Sequence, residues 1–197
     1  GLKNTSQRLQ NSANNVANIN TTGFKKSDVN SVDNKSGGTR VNDISRSHTQ
    51  GLLIPTGNPL DLAIDGDGFF QVTNPNDGSS FTRSGSFKQD GEGNIVDASG
   101  NALLPAVNVP GNNTGIRVES NGQISSHVGQ QPKVAGQLQL ANFQNPSGLT
   151  AAGGNLFNES ASSGAPETGT PGAVGFGTVR SGFLEESNVD ITEEIVD

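Results

Sequence analysis

Residues 60–72 read Leu60-Asp-Leu-Ala-Ile-Asp-Gly-Asp-Gly-Phe-Phe-Gln-Val72, and this stretch decides the fold class. Apolar residues recur at every second position from Leu60 to Ile64, which is the period of a strand with one buried face. The turn Asp65-Gly-Asp-Gly68 follows, in residues that tolerate a positive φ, and Phe69 to Val72 resumes as a second apolar strand. We expect the two strands to pair as a hairpin on which the core nucleates.

The composition favours a β-rich protein with many turns. Of 197 residues, 27 are Gly and 30% are hydrophobic, which is a poor supply of apolar side chains for a packed helical bundle. The formal net charge of -7 argues against a nucleic-acid partner, because phosphate binding needs a basic surface. The chain has no Cys, which excludes disulfides and thiolate chemistry.

A helix is expected over residues 1–20, because Leu2, Leu9 and Val16 are seven residues apart. This spacing gives a narrow apolar seam of coiled-coil type, on a helix too short and too rich in Asn to be stable alone. The seam therefore meets either a partner helix or the globular part of its own chain. The polar residues 25–50 predict an extended or flexible connector outside the core.

Short apolar strands alternate with turn residues over residues 51–180, which favours an antiparallel sandwich or barrel-like domain. The longest predicted strand runs from Val134 to Phe143. Asp190-Ile-Thr-Glu193 has the spacing of a capping box, so a second helix is expected to start there. Because the chain lacks Met and stops within this helix, we expect a piece of a longer protein, trimmed at both terminal helices.

No residue pattern predicts catalysis or a bound ligand. The two histidines, His48 and His127, have no acid or nucleophile at a recognisable spacing. The turn that starts at Asp65 is not an EF-hand calcium loop, because its twelfth position is Asn76 rather than Glu. We therefore expect a structural or assembly protein rather than an enzyme, with no catalytic residues, cofactor, metal or small-molecule substrate.

Four motifs, in chain order, resemble those of bacterial flagellar rod and hook proteins. They are Asn14-Asn-Val-Ala-Asn-Ile-Asn-Thr-Thr-Gly-Phe-Lys25, the stretch 60–72, Phe81-Thr-Arg-Ser-Gly-Ser-Phe87, and Gly182-Phe-Leu-Glu-Glu-Ser-Asn-Val-Asp190. Together they span almost the whole chain, and residues 136–166 are most similar to the distal rod members of the family. The chain is identified as a member of this family.

The resemblance implies a structural subunit of the basal-body rod, which self-assembles into a helical tube and transmits torque from motor to hook. Its implied partners are further copies of itself, other flagellar rod, hook and ring proteins, and the type III export apparatus. It implies export without a cleaved signal peptide and a place in the basal body across the periplasm. The alternatives are a proximal rod or hook-type axial protein and, from another class, a secreted β-rich adhesin or carbohydrate-binding module.

The predicted fold is mainly β, with an antiparallel central domain and helical terminal segments that pair as a coiled-coil-like stalk. The predicted divisions are an axial helix and turn at 1–24, a connector at 25–50, an outer β domain at 51–180 and the start of a C-terminal axial helix at 181–197. The predicted assembly residues are Leu2, Leu9, Val16, Val189, Ile191 and Ile195. The predicted core and motif residues are Leu62, Ile64, Gly66, Gly68, Phe69, Phe70, Phe81 and Phe87.

Overall fold

A computed structural model describes residues 2–34, 38–76 and 78–189. Over these residues one α-helix precedes a series of short antiparallel strands, so the mainly β class is confirmed. The helix is α1 (Leu2–Ala17), and a 3₁₀ turn spans Pro146–Gly148. The strands of the first half are β1 (Ser27–Asn34), β2 (Gly38–Arg46), β3 (Leu53–Pro55), β4 (Leu62–Asp65), β5 (Phe69–Asn74), β6 (Gly78–Thr82), β7 (Lys88–Gln89), β8 (Ile95–Val96) and β9 (Leu103–Leu104). Those of the second half are β10 (Ile116–Val118), β11 (Gln123–Val128), β12 (Gln131–Gln137), β13 (Leu140–Asn142), β14 (Thr150–Gly153), β15 (Leu156–Asn158), β16 (Glu167–Gly169), β17 (Thr178–Ser181) and β18 (Phe183–Glu185).

The largest sheet has the strand order β14-β15-β6-β5-β13-β16, with β9 also paired to β5. Successive side chains of a strand point to opposite faces, so the adjacent Phe69 and Phe70 enter different cores. Phe70 joins the main core with Leu62 and Ile64, whereas Phe69 joins a second cluster with Phe81. Apolar side chains thus cover both faces of β5, which lies between the two hydrophobic clusters.

The predicted hairpin within residues 60–72 is wrong, because β4 and β5 do not pair with each other. β4 pairs with β17, where Ile64 lies opposite Val179, and β5 pairs with β6, β9 and β13. Gly66 and Gly68 have φ values of 115° and 126°, far from the values of about 60° in a tight hairpin turn. The turn therefore carries the chain from one sheet into the next instead of folding it back.

The segment predicted as a connector contains a long hairpin. β1 and β2 pair antiparallel from Ser27 opposite Arg46 to Asn34 opposite Gly38. No strand was predicted here because the segment is polar and lacks the apolar alternation of a strand with a buried face. The backbone pairing of β1 with β2 defines this hairpin, and no apolar alternation in the sequence predicts it.

The run from Val134 to Phe143 also differs from its prediction as one strand. It contains the end of β12, which pairs with β11, and then β13, which belongs to the largest sheet. Between them the Leu138 N–H donates to the carbonyl oxygen of Gly122 at 2.8 Å. The apolar positions Val134, Leu138 and Leu140 therefore span a change of sheet at Leu138.

Helix α1 is held to the β1–β2 hairpin by polar contacts. Asn15, which is 1% exposed, donates from Nδ2 to the Ser27 carbonyl oxygen at 2.9 Å and accepts the Ser27 N–H at 3.1 Å. Leu9 is 67% exposed and Val16 is 40% exposed, so their side chains are not packed on the globular part of this chain. Among the described residues, no helix has both the length and the apolar composition that crossing a bilayer requires.

Candidate functional site

A buried cluster of charges joins one part of each of the four sequence motifs. It consists of Lys25 from the first motif, Arg83 from the third and Glu185 from the fourth, set against the 65–68 turn of the second. The side chains of Lys25 and Glu185 are fully buried, and that of Arg83 is 5% exposed. We call these three residues the charge cluster.

Arg83 anchors the 65–68 turn to the cluster. Its Nη1 donates to the carbonyl oxygens of Gly66 at 2.8 Å and Gly68 at 2.7 Å, and its Nη2 donates to that of Ile64 at 3.1 Å. Residues at such positive φ values are almost always glycine, and here they turn both carbonyls towards the guanidinium. Arg suits this position because its planar group donates in several fixed directions at once.

Glu185 is the common acceptor of the cluster. Lys25 Nζ forms a salt bridge with Oε1, Arg83 Nε donates to Oε2 at 2.8 Å, and the Gly51 N–H donates to Oε1 at 2.9 Å. Lys25 Nζ also donates to the Thr49 carbonyl oxygen at 2.6 Å. Burial lowers the pKa of Lys25, and Glu185 opposes that shift by stabilising the ammonium. The one carboxylate therefore holds two buried cations.

His48 lies beside the cluster in an apolar setting. Its ring meets Phe69 and Phe157 edge-on, with centroids 5.5 Å and 5.1 Å apart, and both ring nitrogens are buried without a hydrogen-bond partner among the described residues. Burial, together with the neighbouring charges of Lys25, Arg46 and Arg83, lowers the pKa of His48 to about 4. His48 is therefore neutral at pH 7.

A cavity of about 160 Å³ next to His48 is lined by Asp67, Arg83 and Asn142. Arg83 is already engaged by four acceptors, so it offers little to a ligand. Within residues 2–34, 38–76 and 78–189, no group of three or more His, Asp or Glu residues is placed to hold a metal ion. The contacts of the charge cluster connect distant segments of the fold to one another.

Asn188 ties the C-terminal motif to the turn that follows α1. Its Oδ1 accepts the Lys26 N–H at 2.8 Å, and its Nδ2 donates to the Ser47 carbonyl oxygen at 2.9 Å. The backbone N–H of Asn188 donates to the Phe24 carbonyl oxygen at 3.3 Å. The Gly23 N–H donates to the Glu185 carbonyl oxygen at 2.7 Å. The chain at residue 188 thus lies directly against the segment that leaves the first helix.

The predicted residues fall into two environments. The predicted core side chains are all at most 3% exposed, namely Leu62, Ile64, Phe69, Phe70, Phe81 and Phe87. Of the predicted assembly residues, Leu2 lies in the first turn of α1, Leu9 and Val16 are exposed, and Val189 is 8% exposed. Ile191 and Ile195 lie outside the described residues.

Sequence reasoning missed the charge cluster and Asn188. Arg83 lies two residues after Phe81 and four before Phe87, so the alternation of a strand would have predicted that its side chain points inward as theirs do. Lys25 and Glu185 carried no such signal, because 160 positions separate them in the sequence. Their partnership exists only in the folded chain.

Comparison with known proteins agrees with the order of the motifs. Residues 1–25 match the family model described as flagella basal body rod protein, and residues 63–126 match that described as the flagellar hook protein FlgE/F/G D1 domain. The flagellar basal-body rod protein FlgG of Buchnera aphidicola from Acyrthosiphon pisum is 41% identical over 93% of this chain and 80% of its own length. FlgG of Bacillus subtilis is 36% identical over 100% of this chain and 85% of its own length.

The flagellar hook protein FlgE of Escherichia coli is similar over a smaller part. It is 36% identical over 54% of this chain and 25% of its own length. The two FlgG relatives, in contrast, match over 93% and 100% of this chain. The chain therefore belongs to the family of FlgG-type flagellar basal-body rod proteins.

Proposed function

We propose that this chain is a structural subunit of the distal part of the flagellar basal-body rod. Copies assemble through their terminal segments into a helical tube, which carries torque from the motor to the hook without a catalytic step. The β domain faces outward, and the tube crosses the periplasm after export of the subunit without a cleaved signal. Other rod, hook and ring proteins meet its ends and outer surface, and the type III apparatus delivers it.

The observation that carries this proposal is the exposed seam of α1 in a chain of this family. Leu9 and Val16 keep 67% and 40% of their surface in solvent, although apolar residues at this spacing are typical of a helix with a partner. Contacts of one patch with a different patch on the next copy generate a helical filament when the rotation between copies does not close into a ring. A polymer of this kind needs exposed seams in the free subunit.

The points at which the two terminal segments join the β domain support pairing of those segments. Asn188 holds the end of the C-terminal motif against Phe24 and Lys26, just beyond α1. Segments that extend from these two points start side by side. We propose that a helix starting near Asp190 pairs with α1 as a coiled-coil-like stalk, and that Val189, Ile191 and Ile195 take part in assembly. In this proposal residues 1–24 and 181–197 belong to the stalk, residues 25–50 form a connector and residues 51–180 form the outer domain.

The change Leu9→Asp tests the assembly role of the seam. A buried, unpaired carboxylate in the subunit contact costs several kcal/mol, so we expect at least a tenfold loss of sedimenting polymer and of rod incorporation in flagellated cells. Val174→Asp is the matched control, because Val174 is fully exposed in the β domain at 101%. Sedimentation and electron microscopy measure assembly, and thermal unfolding shows that both variants keep the folded domain.

Two results would contradict the proposal. If Leu9→Asp formed polymer normally, the seam would not be part of the contact between copies. Glycan binding by the isolated chain, with no polymer under any condition and normal motility on deletion, would favour the adhesin class instead.

A further inference from the structure

The outer face of the small β3–β18 sheet exposes an apolar patch. Ile54 and Leu184 lie directly opposite each other in the register, so their side chains share one face. Leu52 lies two residues before Ile54 on the same face, and it is 72% exposed while Ile54 is 39% exposed. Within the described part of the chain, β3 has β18 as its only strand partner. We call Leu52, Ile54 and Leu184 the β3 patch.

An acidic group borders the β3 patch. The Glu186 N–H donates to the Leu52 carbonyl oxygen at 2.8 Å, which places the exposed Glu186 beside Leu52. The opposite face of the same two strands holds buried Glu185 of the charge cluster, so the orientation of the patch is fixed by that cluster. The patch is therefore a rigid apolar surface with a negative rim.

Helix α1 has the complementary surface. It contains the basic residues Lys3 and Arg8 and no acidic residue, so its formal charge is +2. The whole chain has a formal charge of -7, which leaves -9 on the remaining residues. Arg8 directly precedes the exposed Leu9, in the same way that Glu186 borders Leu52. The charge distribution thus favours contact between α1 of one copy and the β region of another.

The dimensions of the two surfaces also agree. Leu9 and Val16 are seven residues apart, or about 10 Å along a helix. The β3 patch is roughly 7 Å long, for two residue steps along a strand, and about 5 Å wide, for two paired strands. Two turns of helix, from Leu9 to Val16, therefore cover the patch.

We propose that the β3 patch is the docking site for α1 of a second copy of this chain. The inference rests on the proposed function and adds the surface that receives the seam. Leu9 of one subunit packs on Leu52 and Ile54 of the next, and Arg8 lies near Glu186. This contact joins two different patches, as an open helical polymer requires.

The absence of Cys from the chain provides a direct test. Leu9→Cys and Leu52→Cys are introduced into separate copies, which are mixed at a concentration that gives sedimenting polymer and then oxidised mildly. We expect a disulfide-linked heterodimer in at least fivefold excess over the yield from Leu9→Cys mixed with Val174→Cys. Adding Glu186→Lys to the Leu52→Cys copy is expected to lower that yield.

Two outcomes separate this inference from the proposed function, and a third counts against both. Polymer that forms normally, with equal cross-linking to Cys at 52 and at 174, overturns the docking site and leaves the rod function intact. Predominant linkage between two Leu9→Cys copies shows helix-to-helix contact and also overturns the docking site. Failure of the unmodified chain to associate at any concentration counts against both.

Discussion

At the scale of single residues, Glu185 connects the members of the charge cluster. Its carboxylate is the counterion of both Lys25 and Arg83, and none of the three side chains has more than 5% exposure. Breaking a buried ion pair by removing one partner leaves an uncompensated charge, which costs about 3–5 kcal/mol. We expect Glu185→Gln to lower the free energy of unfolding by that amount, as measured by urea denaturation.

The adjacent residue supplies the control for this experiment. Glu186 is exposed and has the same side chain, so Glu186→Gln should change the free energy of unfolding by less than about 0.5 kcal/mol. Equal effects of the two substitutions would mean that the charge cluster does not stabilise the fold.

His48 gives the fold a defined sensitivity to acid. Its pKa is about 4 in the folded chain, where burial disfavours the imidazolium, and about 6.5 when unfolded. The unfolded chain therefore binds more protons between these values, so stability falls as the pH drops from 6.5 to 4. The full difference is about 3 kcal/mol, and it is absent above pH 6.5.

The variant His48→Leu isolates this effect. Carboxylates also titrate below pH 5, but they are common to both proteins, so the difference between the two unfolding curves belongs to His48. We expect the parent chain to lose about 3 kcal/mol more than His48→Leu between pH 7 and pH 4 in urea denaturation. Parallel pH profiles would show that the imidazole does not remain neutral and buried.

At the scale of elements, strand β5 links the two cores. Phe70 is fully buried on one face, with the Phe87 ring edge-on at a centroid distance of 5.2 Å. Replacing a buried Phe with Ala costs about 3–5 kcal/mol through lost transfer free energy and the cavity left behind. We expect Phe70→Ala to lower the free energy of unfolding by this amount and Val174→Ala to leave it unchanged. An unaltered thermal midpoint for Phe70→Ala would contradict the assignment of β5 to the core.

The sequence predicted which residues are apolar strand positions better than which strands pair. Alternation from Leu60 to Ile64 indicates a buried face, but it contains nothing about the partner, and β4 pairs with β17 more than 110 residues away. Likewise, the apolar positions on both sides of Leu138 concealed a change of sheet. The β1–β2 hairpin was missed for the opposite reason, because its pairing needs no apolar alternation.

In the candidate site, too, the sequence predicted local backbone conformation but not contacts between distant residues. The turn residues Gly66 and Gly68 were recognisable, since a positive φ is a local property of glycine. That their carbonyl oxygens accept hydrogen bonds from Arg83 was not recognisable, because this contact depends on a side chain from another motif. Glu185 then connects that motif to Lys25, and no short-range pattern reports such a three-way contact.

At the scale of the whole molecule, net charge opposes assembly while the exposed seams favour it. Two copies with a charge of -7 repel each other by roughly 5 kcal/mol in water without salt, if their centres are about 40 Å apart as for compact chains of this length. An exposed ion pair such as that proposed between Arg8 and Glu186 contributes only about 0.2–1 kcal/mol. Repulsion between whole molecules therefore exceeds the local attraction when salt is low.

This balance predicts how assembly responds to salt. The Debye length falls from about 30 Å at 0.01 M to about 8 Å at 0.15 M, so added salt removes most of the long-range repulsion and leaves the apolar contact of Leu9 unscreened. We expect the sedimenting fraction of the chain to rise several-fold between 0.01 M and 0.15 M NaCl, and Leu9→Asp to gain nothing over the same range. A fall in the sedimenting fraction would mean that ion pairs, rather than the apolar seam, supply the attraction between copies.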